Sequence, residues 1–522
     1  MNQPAAEQAA QWLQKGVTLH QQGKLSEAEP CYNQALTLVP NHPDALHLLG
    51  LMAYQVQKTE LAIDLIGKAI AIHATQPAYH NHLGQAYMQA GKPQQAIPAY
   101  QEALALKPDF AEAQVNLANA HQALGDTDAA LSAYDAALAT NPNLPQAHYN
   151  KGVMLAALNR LEEAEACYRT AIKHKTNYGE AWGNLGNVLR SQGRLDEARE
   201  TYRHATTLQP DNARNYINLG TVLRELGNLD EASRVYLQAI SLTPDSGEAH
   251  NNLGNVYKAQ GKLDEAVTAY QQGITCLMDA KTPPQPRAKA YMDIETAHTA
   301  LQALRQALDA EHIPFFLAYG TLLGIVRDGD LLPHDKDMDI GLPWDTDRQK
   351  LTRALVDKHG FSPIHVGCDV EESAQWSLTF VHRATGIEID CFFFKPDGNM
   401  LLSGLHHRPV PLLWRFSAFE TEELDYLETT WRIPSPPERY LEEIYGEDWR
   451  VPNAHFDSLI SGCNREERAF PVARCFGYNR LFERINRAEW TKAEGYCRQL
   501  LAKSDDPFIE RVTHWLKEQH SS

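Results

Sequence analysis

The chain has 522 residues, 43% of them hydrophobic, so it can bury sizeable cores and is not a disordered polypeptide. Its formal net charge of −18 argues against a duplex nucleic-acid or anionic-membrane binder, because such a protein needs a basic face. The sequence has no apolar run long enough for a transmembrane helix, and its first residues do not resemble a signal peptide, so we expect a cytoplasmic protein.

Small residues recur every 34 positions through the first half of the chain. One series lies in the middle of a predicted first helix and comprises Gly16, Gly50, Gly84, Ala118, Gly152, Gly186, Gly220 and Gly254. A second series lies in the helix that follows and comprises Ala28, Ala62, Ala96, Ala130, Ala164, Ala198, Ala232 and Ala266. Two series in one register, without an insertion, indicate eight repeats of a single structural unit.

Each unit is predicted to be a helix–turn–helix hairpin, with small residues where the two helices cross closely. Glycines such as Gly23 and Gly91 follow the first helix and are predicted to cap it in the left-handed conformation. One hairpin cannot bury its apolar face alone, so neighbouring hairpins must stack. The period and the residue pattern resemble the tetratricopeptide repeat (TPR), which implies an all-α TPR superhelix over residues 9–280.

Asparagines follow the same period on the surface predicted to be concave, at Asn116, Asn150, Asn184, Asn218 and Asn252. A ladder of amides can hydrogen-bond the backbone of an extended peptide without reading its sequence, and it resembles the asparagine ladder of O-GlcNAc transferases. The alternative is that these side chains hydrogen-bond neighbouring hairpins to one another. We predict a protein or peptide partner in the TPR groove, and the structural role stays open.

A proline-rich break at residues 281–288 separates the repeats from a second domain, predicted over residues 289–455. Its periodicity predicts a long helix and then strands, with the helix over 289–311 and strands over 315–320, 377–382 and 387–394. A loop and short helix are predicted between the first two strands, which indicates an α+β domain. Near its end, Ser435 and Glu438 predict a capping box for a helix that ends at Gly446.

The segment GTLLGIVRDGDLLPHDKDMDIG, residues 320–341, contains the residues suited to chemistry. Alternate side chains of a strand share a face, so Asp335, Asp337 and Asp339 are predicted to project together while Met338 and Ile340 enter the core. Such carboxylates can hold Mg²⁺ or Mn²⁺, and without a cation they would raise one another's pKa. The alternative is a solvated edge strand.

Upstream, Gly320 and Thr321 are predicted to supply a tight turn, free backbone N–H groups and a hydroxyl suited to phosphate. A glycine–threonine turn followed by Asp-x-Asp resembles the polymerase-β-type nucleotidyltransferase fold. That fold needs a third carboxylate on a neighbouring strand, and Asp390 in IEIDCFFF is the best candidate.

The stretch AYGTLLGIVRDGDLLPHDKDMDIG resembles the LicD/fukutin family motif, and the resemblance extends through IEIDCFFF, VPLLWRF and IPSPPERYLEEIYGEDW. It implies a metal-dependent transferase that moves phosphocholine, ribitol phosphate or glycerol phosphate from a CDP-linked donor to a glycan or glycoconjugate acceptor. It also implies that Asp337, Asp339 and Asp390 are catalytic metal ligands, with Asp335 as a further candidate and with Asp390 alternatively a general base.

Arg327, His334 and Lys336 are candidates for neutralising the donor diphosphate, with ordinary surface charge as the alternative. Residues 456–522 are predicted to form a helical tail resembling a TPR pair. The predicted fold is therefore multidomain, with a TPR superhelix, an α+β nucleotidyltransferase-like domain and a helical tail. Two other functions stay open, an adaptor with an inactive catalytic domain and a true nucleotidyltransferase.

Overall fold

A computed structural model describes residues 3–282, 284, 292–333, 335, 337–364, 375–405, 411–452, 462, 464–465 and 470–519. The chain divides into two compact units, Met1–Pro210 and Asp211–Ser522. The boundary between the two units lies within the repeat region. The predicted domain limits therefore remain predictions. Over the described ranges, no helix is long and apolar enough to cross a membrane.

The first unit consists of helical hairpins that follow the 34-residue register. Its helices are α1 Gln3–Gln21, α2 Leu25–Leu38, α3 Pro43–Gln55, α4 Thr59–Ile72, α5 Pro77–Gln89, α6 Pro93–Leu106, α7 Ala111–Leu124, α8 Thr127–Thr140, α9 Pro145–Ala157, α10 Leu161–His174, α11 Gly179–Ser191 and α12 Leu195–Leu208. The second unit begins with two more hairpins, formed by α13 Ala213–Glu225, α14 Leu229–Leu242, α15 Gly247–Ala259 and α16 Leu263–Met278. These helices confirm the predicted helical TPR region.

Within most hairpins a glycine of the first helix lies against a tyrosine of the second. A Cβ atom placed on Gly186 would lie 2.7 Å from ring carbons of Tyr202, whose side chain is fully buried. Gly152 faces Tyr168 and Gly254 faces Tyr270 in the same way. The glycines predicted to end the first helices all adopt positive φ, as expected for left-handed caps, at Gly23, Gly91, Gly125, Gly193, Gly227 and Gly261.

After the repeats the second unit continues with a mixed α/β domain. Its helices are α17 Ile294–Ala310, α18 Tyr319–Asp328, α19 Arg348–Arg353, which runs on as a wider π-turn over Ala354–Lys358, and α20 Pro437–Tyr445. Its strands are β1 Phe316–Leu317, β2 Asp337–Pro343, β3 Phe361–Ile364, β4 Ser377–His382, β5 Glu388–Asp397, β6 Met400–Leu405, β7 Leu412–Ser417, β8 Glu420–Tyr426 and β9 Thr429–Ser435.

The first seven strands form one sheet in the order β1-β2-β5-β4-β3, and β6 and β7 extend it from the far end of β5. Strands β2 and β5 pair in parallel, whereas β1, β3 and β4 pair antiparallel with their neighbours. A separate hairpin is formed by β8 and β9. Helix α17 buries Ala297, Leu301, Leu304 and Leu308 in the same hydrophobic core as the sheet.

Two local predictions for this domain were wrong. The strand predicted over residues 315–320 is limited to β1, because the chain turns at Ala318 and helix α18 begins at Tyr319. The predicted capping box is absent, since the N-cap of α20 is Pro436 and no side chain caps the helix. Ser435 instead ends β9, where its hydroxyl donates a hydrogen bond to Glu422 of β8.

The helical tail predicted after the α/β domain is confirmed as α21 Phe470–Asn486, α22 Trp490–Leu501 and α23 Pro507–Gln519. Helix α21 packs on α16, where Gln271 Nε2 donates to the Tyr478 hydroxyl at 3.0 Å and Phe482 contacts Gly273. The spacing from Ala488, which has φ 53°, to Ala493 equals that from the capping Gly261 to Ala266. The α21–α22 hairpin therefore stacks on the eighth repeat as a ninth, repeat-like unit.

The glycine–tyrosine contacts predict that alanine destabilises the hairpin at these positions, although alanine usually favours a helix over glycine. Gly186→Ala should lower the urea midpoint of helix unfolding, because overpacking against Tyr202 costs about 1–3 kcal/mol. That cost exceeds the ~0.5–1 kcal/mol by which alanine favours a helix over glycine.

Gly67→Ala is the matched control, because Gly67 lies inside α4 and a Cβ atom placed on it would meet no other group within 4 Å. We expect this substitution to raise the midpoint, as measured by circular dichroism at 222 nm (about the α-helical minimum). Equal shifts for the two variants would contradict the packing role of Gly186.

Candidate functional site

The predicted acidic residues lie on the parallel strand pair β2–β5. Asp339 of β2 stands directly beside Asp390 of β5 in the register of the two strands. Met338 and Ile340, which alternate with the aspartates, are fully buried, as the sequence predicts. The strand alternation therefore places Asp337 and Asp339 on one face of the sheet, next to the carboxylate of the neighbouring strand.

Strand β4 completes the surroundings of Asp390. Thr379 pairs with Asp390 across the antiparallel β4–β5 ladder, and its hydroxyl donates a hydrogen bond to Asp390 Oδ1. Burial raises the pKa of Asp390 to about 6, although the Thr379 hydrogen bond opposes the shift, and the charge of Asp337 adds to it. Asp390 is thus a carboxyl group whose proton equilibrium lies close to neutral pH.

Asp339 is held by two residues in the first turn of α18. Its Oδ2 accepts a hydrogen bond from the backbone N–H of Gly320 at 2.9 Å, and its own N–H donates to Thr321 Oγ1 at 2.7 Å. Burial raises the pKa of Asp339 well above its usual range, and the charges of Asp337, Asp335 and Asp390 raise it further. The four carboxylates form one interacting group, called here the acidic centre.

Asp335 reaches the acidic centre although it precedes β2. A Cβ atom placed on Gly320 would lie 2.5 Å from Asp335 Oδ2 and 3.1 Å from Asp339 Oδ2, so both carboxylates close on this glycine. Any larger residue at position 320 would displace one of them. The predicted grouping of Asp335 with Asp337 and Asp339 therefore occurs through a loop rather than through strand alternation.

The residue before this glycine has a strained backbone. Tyr319 has φ 42°, in the left-handed region that residues other than glycine rarely adopt, at a cost of about 1–3 kcal/mol. Its ring packs against Phe392, with centroids 4.6 Å apart, and against Trp414 and Phe416. This aromatic packing holds the turn that aims the Gly320 N–H at Asp339.

Of the three predicted cationic residues, Arg327 is the one that lies within the described structure. Arg327 lies on α18, where its Nε and Nη2 groups donate to the two carboxylate oxygens of Asp328 at 2.8 Å, and its side chain is only 9% exposed. His334 and Lys336 lie outside the described residues. The roles of Arg327, His334, Lys336, Gly320 and Thr321 toward a donor phosphate remain predictions.

Two residues near the acidic centre are absent from the sequence-based set. Glu388 stands beside Asp337 in the β2–β5 register, and it lies two residues before Asp390, so strand alternation could have indicated it. Tyr445 ends α20, and burial together with the charges of Asp339 and Asp335 raises its pKa well above the usual range. No local sequence signal connects Tyr445 with aspartates over one hundred positions earlier.

The acidic centre suits a cation that a substrate helps to hold. Among the described residues, no group of three or more His, Cys, Asp or Glu side chains is arranged to bind a metal ion by itself. Mg²⁺, however, is commonly held by one or two carboxylates together with substrate phosphates and water. A cation would also relieve the repulsion that raises the pKa of Asp339. The donor set therefore fits Mg²⁺ or Mn²⁺.

The asparagine ladder makes contacts between successive hairpins of the first unit. Asn116 Nδ2 donates to Asn81 at 3.0 Å, Asn150 Nδ2 donates to Asn119 at 3.0 Å, and Asn184 Nδ2 approaches the Tyr149 hydroxyl at 3.2 Å. These are the contacts expected if the asparagines join neighbouring hairpins. In the second unit, Asn218 and Asn252 occupy the same position on α13 and α15 and are partly buried. Peptide binding by the ladder remains a prediction.

Three protein families match parts of the chain. The tetratricopeptide repeat matches residues 9–42, and the cilia and flagella-associated protein 70 C-terminal domain, a TPR-type family, matches residues 66–282. The family described as the LicD/FKTN/FKRP nucleotidyltransferase domain matches residues 312–417, which contain the whole acidic centre.

Curated relatives match about a third of the chain. Ribitol-5-phosphate transferase FKTN from Homo sapiens is 24% identical over 165 residues, which cover 31% of this chain and 35% of that protein. The protein of the same name from Mus musculus is 24% identical over 163 residues, 31% of this chain and 34% of that protein. The chain thus spans about a third of the length of the curated relatives it matches.

Solved structures also match parts of the chain. YrrB, described as a TPR protein with an unusual peptide-binding site, has a TM-score of 0.33 and 22% identity over 35% of this chain and 94% of its own. The Cut9–Hcn1 structure has a TM-score of 0.35 and 18% identity over 52% of this chain and 53% of its own. With the family matches, the fold and the acidic centre in view, the chain combines a TPR repeat region with a LicD/FKTN nucleotidyltransferase domain that is distantly related to ribitol-5-phosphate transferase FKTN.

Proposed function

We propose that the protein transfers a phospho-alcohol, of the phosphocholine, ribitol phosphate or glycerol phosphate type, from a CDP-linked donor to a glycan or glycoconjugate. The observation that carries this proposal is the acidic centre, in which Asp335, Asp337, Asp339 and Asp390 interact within a LicD/FKTN domain. So many partly buried carboxylates are costly unless a cationic partner joins them. The distant relation to ribitol-5-phosphate transferase FKTN supports a sugar-phosphate type of substrate.

In this proposal Asp337 and Asp339, with Asp335, would hold Mg²⁺ or Mn²⁺ when a donor is bound. The cation, when bound, supplies Lewis-acid stabilisation of charge on the phosphate oxygens. The Gly320 N–H and the Thr321 hydroxyl orient the Asp339 carboxylate and backbone, so the carboxylate is fixed before a substrate arrives. Such preorganisation avoids reorganisation during the reaction.

Asp390 is the residue suited to accept the proton of the attacking hydroxyl. Its pKa of about 6 lies near neutral pH, where a carboxylate is both ionised and basic enough to serve as a general base. The Thr379 hydroxyl donates its hydrogen bond to Oδ1, and the proposal assigns the acceptor proton to Oδ2. The acceptor oxygen then forms the new P–O bond, while the bond to the leaving CMP breaks in line with it.

The TPR region is proposed to bind a protein that carries or delivers the acceptor. TPR repeats are a type of surface that binds other proteins. An amide oxygen can accept two hydrogen bonds, so Asn150 Oδ1 can accept one more besides the bond from Gln146 Nε2 at 2.9 Å. The same acidic centre could serve nucleotidyl transfer, and an inactive domain on a TPR adaptor is the other alternative. Product analysis separates these possibilities.

We expect Asp339→Asn to abolish transfer without unfolding the domain. Asparagine keeps the shape of the side chain and can still accept the Gly320 N–H, but it removes a buried charge that its neighbours repel. Loss of a cation ligand should lower CMP release at least about 100-fold, because Lewis-acid stabilisation contributes several kcal/mol. The thermal midpoint of unfolding should stay level or rise.

The measurement is release of CMP or pyrophosphate, with Mg²⁺ or Mn²⁺, from CDP-choline, CDP-ribitol, CDP-glycerol and nucleoside triphosphates. Asp345→Asn is the matched control, because Asp345 is an exposed aspartate just beyond β2. Pyrophosphate release from a triphosphate would assign nucleotidyl transfer instead. Full CMP release by Asp339→Asn would contradict the proposed role of the acidic centre.

Asn150→Ala combined with Asn184→Ala should impair transfer to a macromolecular acceptor and leave donor hydrolysis unchanged. Each lost hydrogen bond contributes roughly 1 kcal/mol, so the KM for the acceptor should rise about tenfold or more. Asn33→Ala with Asn177→Ala is the control pair, because both asparagines are exposed and lie off the ladder. An unchanged KM in a folded variant would leave the ladder with its structural role alone.

A further inference from the structure

A hydrogen-bonded cluster lies outside the acidic centre, where three elements of the α/β domain meet. His298 lies on α17, Asp330 follows the end of α18, and Tyr426 ends β8. His298 Nε2 lies 2.6 Å from Asp330 Oδ1 and 2.9 Å from the Tyr426 hydroxyl, which donates to the same carboxylate oxygen. One oxygen of Asp330 therefore ties together elements that are up to 128 positions apart in sequence.

The bonds around Asp330 favour its ionised form. Burial alone would raise the pKa of Asp330, but the hydrogen bonds from Tyr426 and His298 outweigh it and hold the pKa below its usual range. The backbone N–H of Leu331 donates to the same oxygen at 2.7 Å. Hydrogen bonds to a charged group are stronger than neutral ones, so His298 and Tyr426 hold the Asp330 carboxylate in place.

Leu331, Leu332 and Pro333, called here the return segment, lead from Asp330 back along α18 toward the acidic centre. Leu331 and Leu332 are buried, and a Cβ atom placed on Gly324 would lie 3.1 Å from the Leu332 nitrogen. The return segment therefore lies directly on the backbone of α18. The N–H of Met292, just before α17, donates to the Pro333 carbonyl at 2.9 Å.

Asp335 lies at the far end of this path. Its N–H donates to the Leu332 carbonyl at 3.1 Å, and its Oδ2 is the oxygen that lies closest to a Cβ placed on Gly320. The path thus runs from the Asp330 cluster at the C-terminal end of α18 to Gly320 at its N-terminal end. Asp335 precedes β2, which begins two residues later, and the Leu332 carbonyl of the return segment holds its backbone N–H.

We propose that Asp330, held by His298 and Tyr426, is a positioning residue that keeps Asp335 at the acidic centre. This inference rests on the proposed function, because the place of Asp335 has a consequence only if the centre binds a divalent cation. Asp330 acts through the return segment and does not itself touch the acidic centre. Residues that orient a metal ligand from outside the coordination sphere typically change metal affinity or activity by roughly 10- to 100-fold.

The test measures Mn²⁺ binding to the full chain, by the electron paramagnetic resonance signal of free Mn²⁺. We expect Asp330→Asn to weaken binding roughly 10- to 100-fold. In the cation-free protein the same variant should speed hydrogen exchange at the Leu331 and Leu332 amides. Asp425→Asn is the matched control, because Asp425 is an exposed neighbour of Tyr426 and loses the same charge.

A double-mutant cycle with Asp335→Asn separates positioning from a general loss of structure. If Asp330 acts through Asp335, then Asp330→Asn should cause no further loss of Mn²⁺ affinity once Asp335 is already asparagine. Tyr426→Phe removes a single hydrogen bond to Asp330 and should change affinity in the same direction by a smaller factor. This milder variant serves as the test if Asp330→Asn does not fold.

Affinity within twofold of the parent chain in folded Asp330→Asn and Tyr426→Phe would overturn the positioning role and leave the proposed function standing. Additive losses in the cycle would also overturn it, because they would show that Asp330 does not act through Asp335. Absence of Mn²⁺ binding by the unmodified chain, with and without a CDP-linked donor, would overturn the proposed cation site and this inference with it.

Discussion

The parallel pairing of β2 with β5 is the constraint on which the candidate site depends. It sets Asp339 beside Asp390 and Asp337 beside Glu388, with no freedom to separate them, because a one-residue slip would turn the buried Met338 and Ile340 outward. The same core that stabilises the domain therefore forces like charges together. Burial raises the pKa values of Asp339 and Asp390, and the charges of their acidic neighbours raise them further.

The repeat region could be predicted closely from sequence because its folding rules are local. A glycine seven residues ahead of a capping glycine, with an aromatic residue in the next helix, defines a hairpin within 34 positions. Each hairpin packs only on its neighbours, so the 34-residue spacing is enough to predict the stacked arrangement. The α/β domain was predicted less well at Tyr319, where aromatic packing from distant strands stabilises a backbone that a local pattern does not favour.

The aspartates of the candidate site were identified from strand alternation and family resemblance, but several groups near them were not. Thr379, Tyr426 and Tyr445 come from separate strands and a helix, and their approach is set by the tertiary fold. For the asparagine ladder, the sequence showed the residues but not their role. Its period was plain in the sequence, yet a periodic amide suits both a hairpin contact and a peptide contact, so periodicity could not choose between them.

The repeat-like hairpin formed by α21 and α22 has a consequence for synthesis on the ribosome. Helix α16 is complete at Met278, but the helix that covers its apolar face begins only at Phe470, after the α/β domain. At typical elongation rates of about 5–20 residues per second, side chains such as Tyr270 and Ile274 are synthesised roughly 10–40 s before helix α21, which packs on them. Folding of the eighth repeat is therefore coupled to completion of the nascent chain, and a ribosome that stalls within the α/β domain would leave an exposed, aggregation-prone surface.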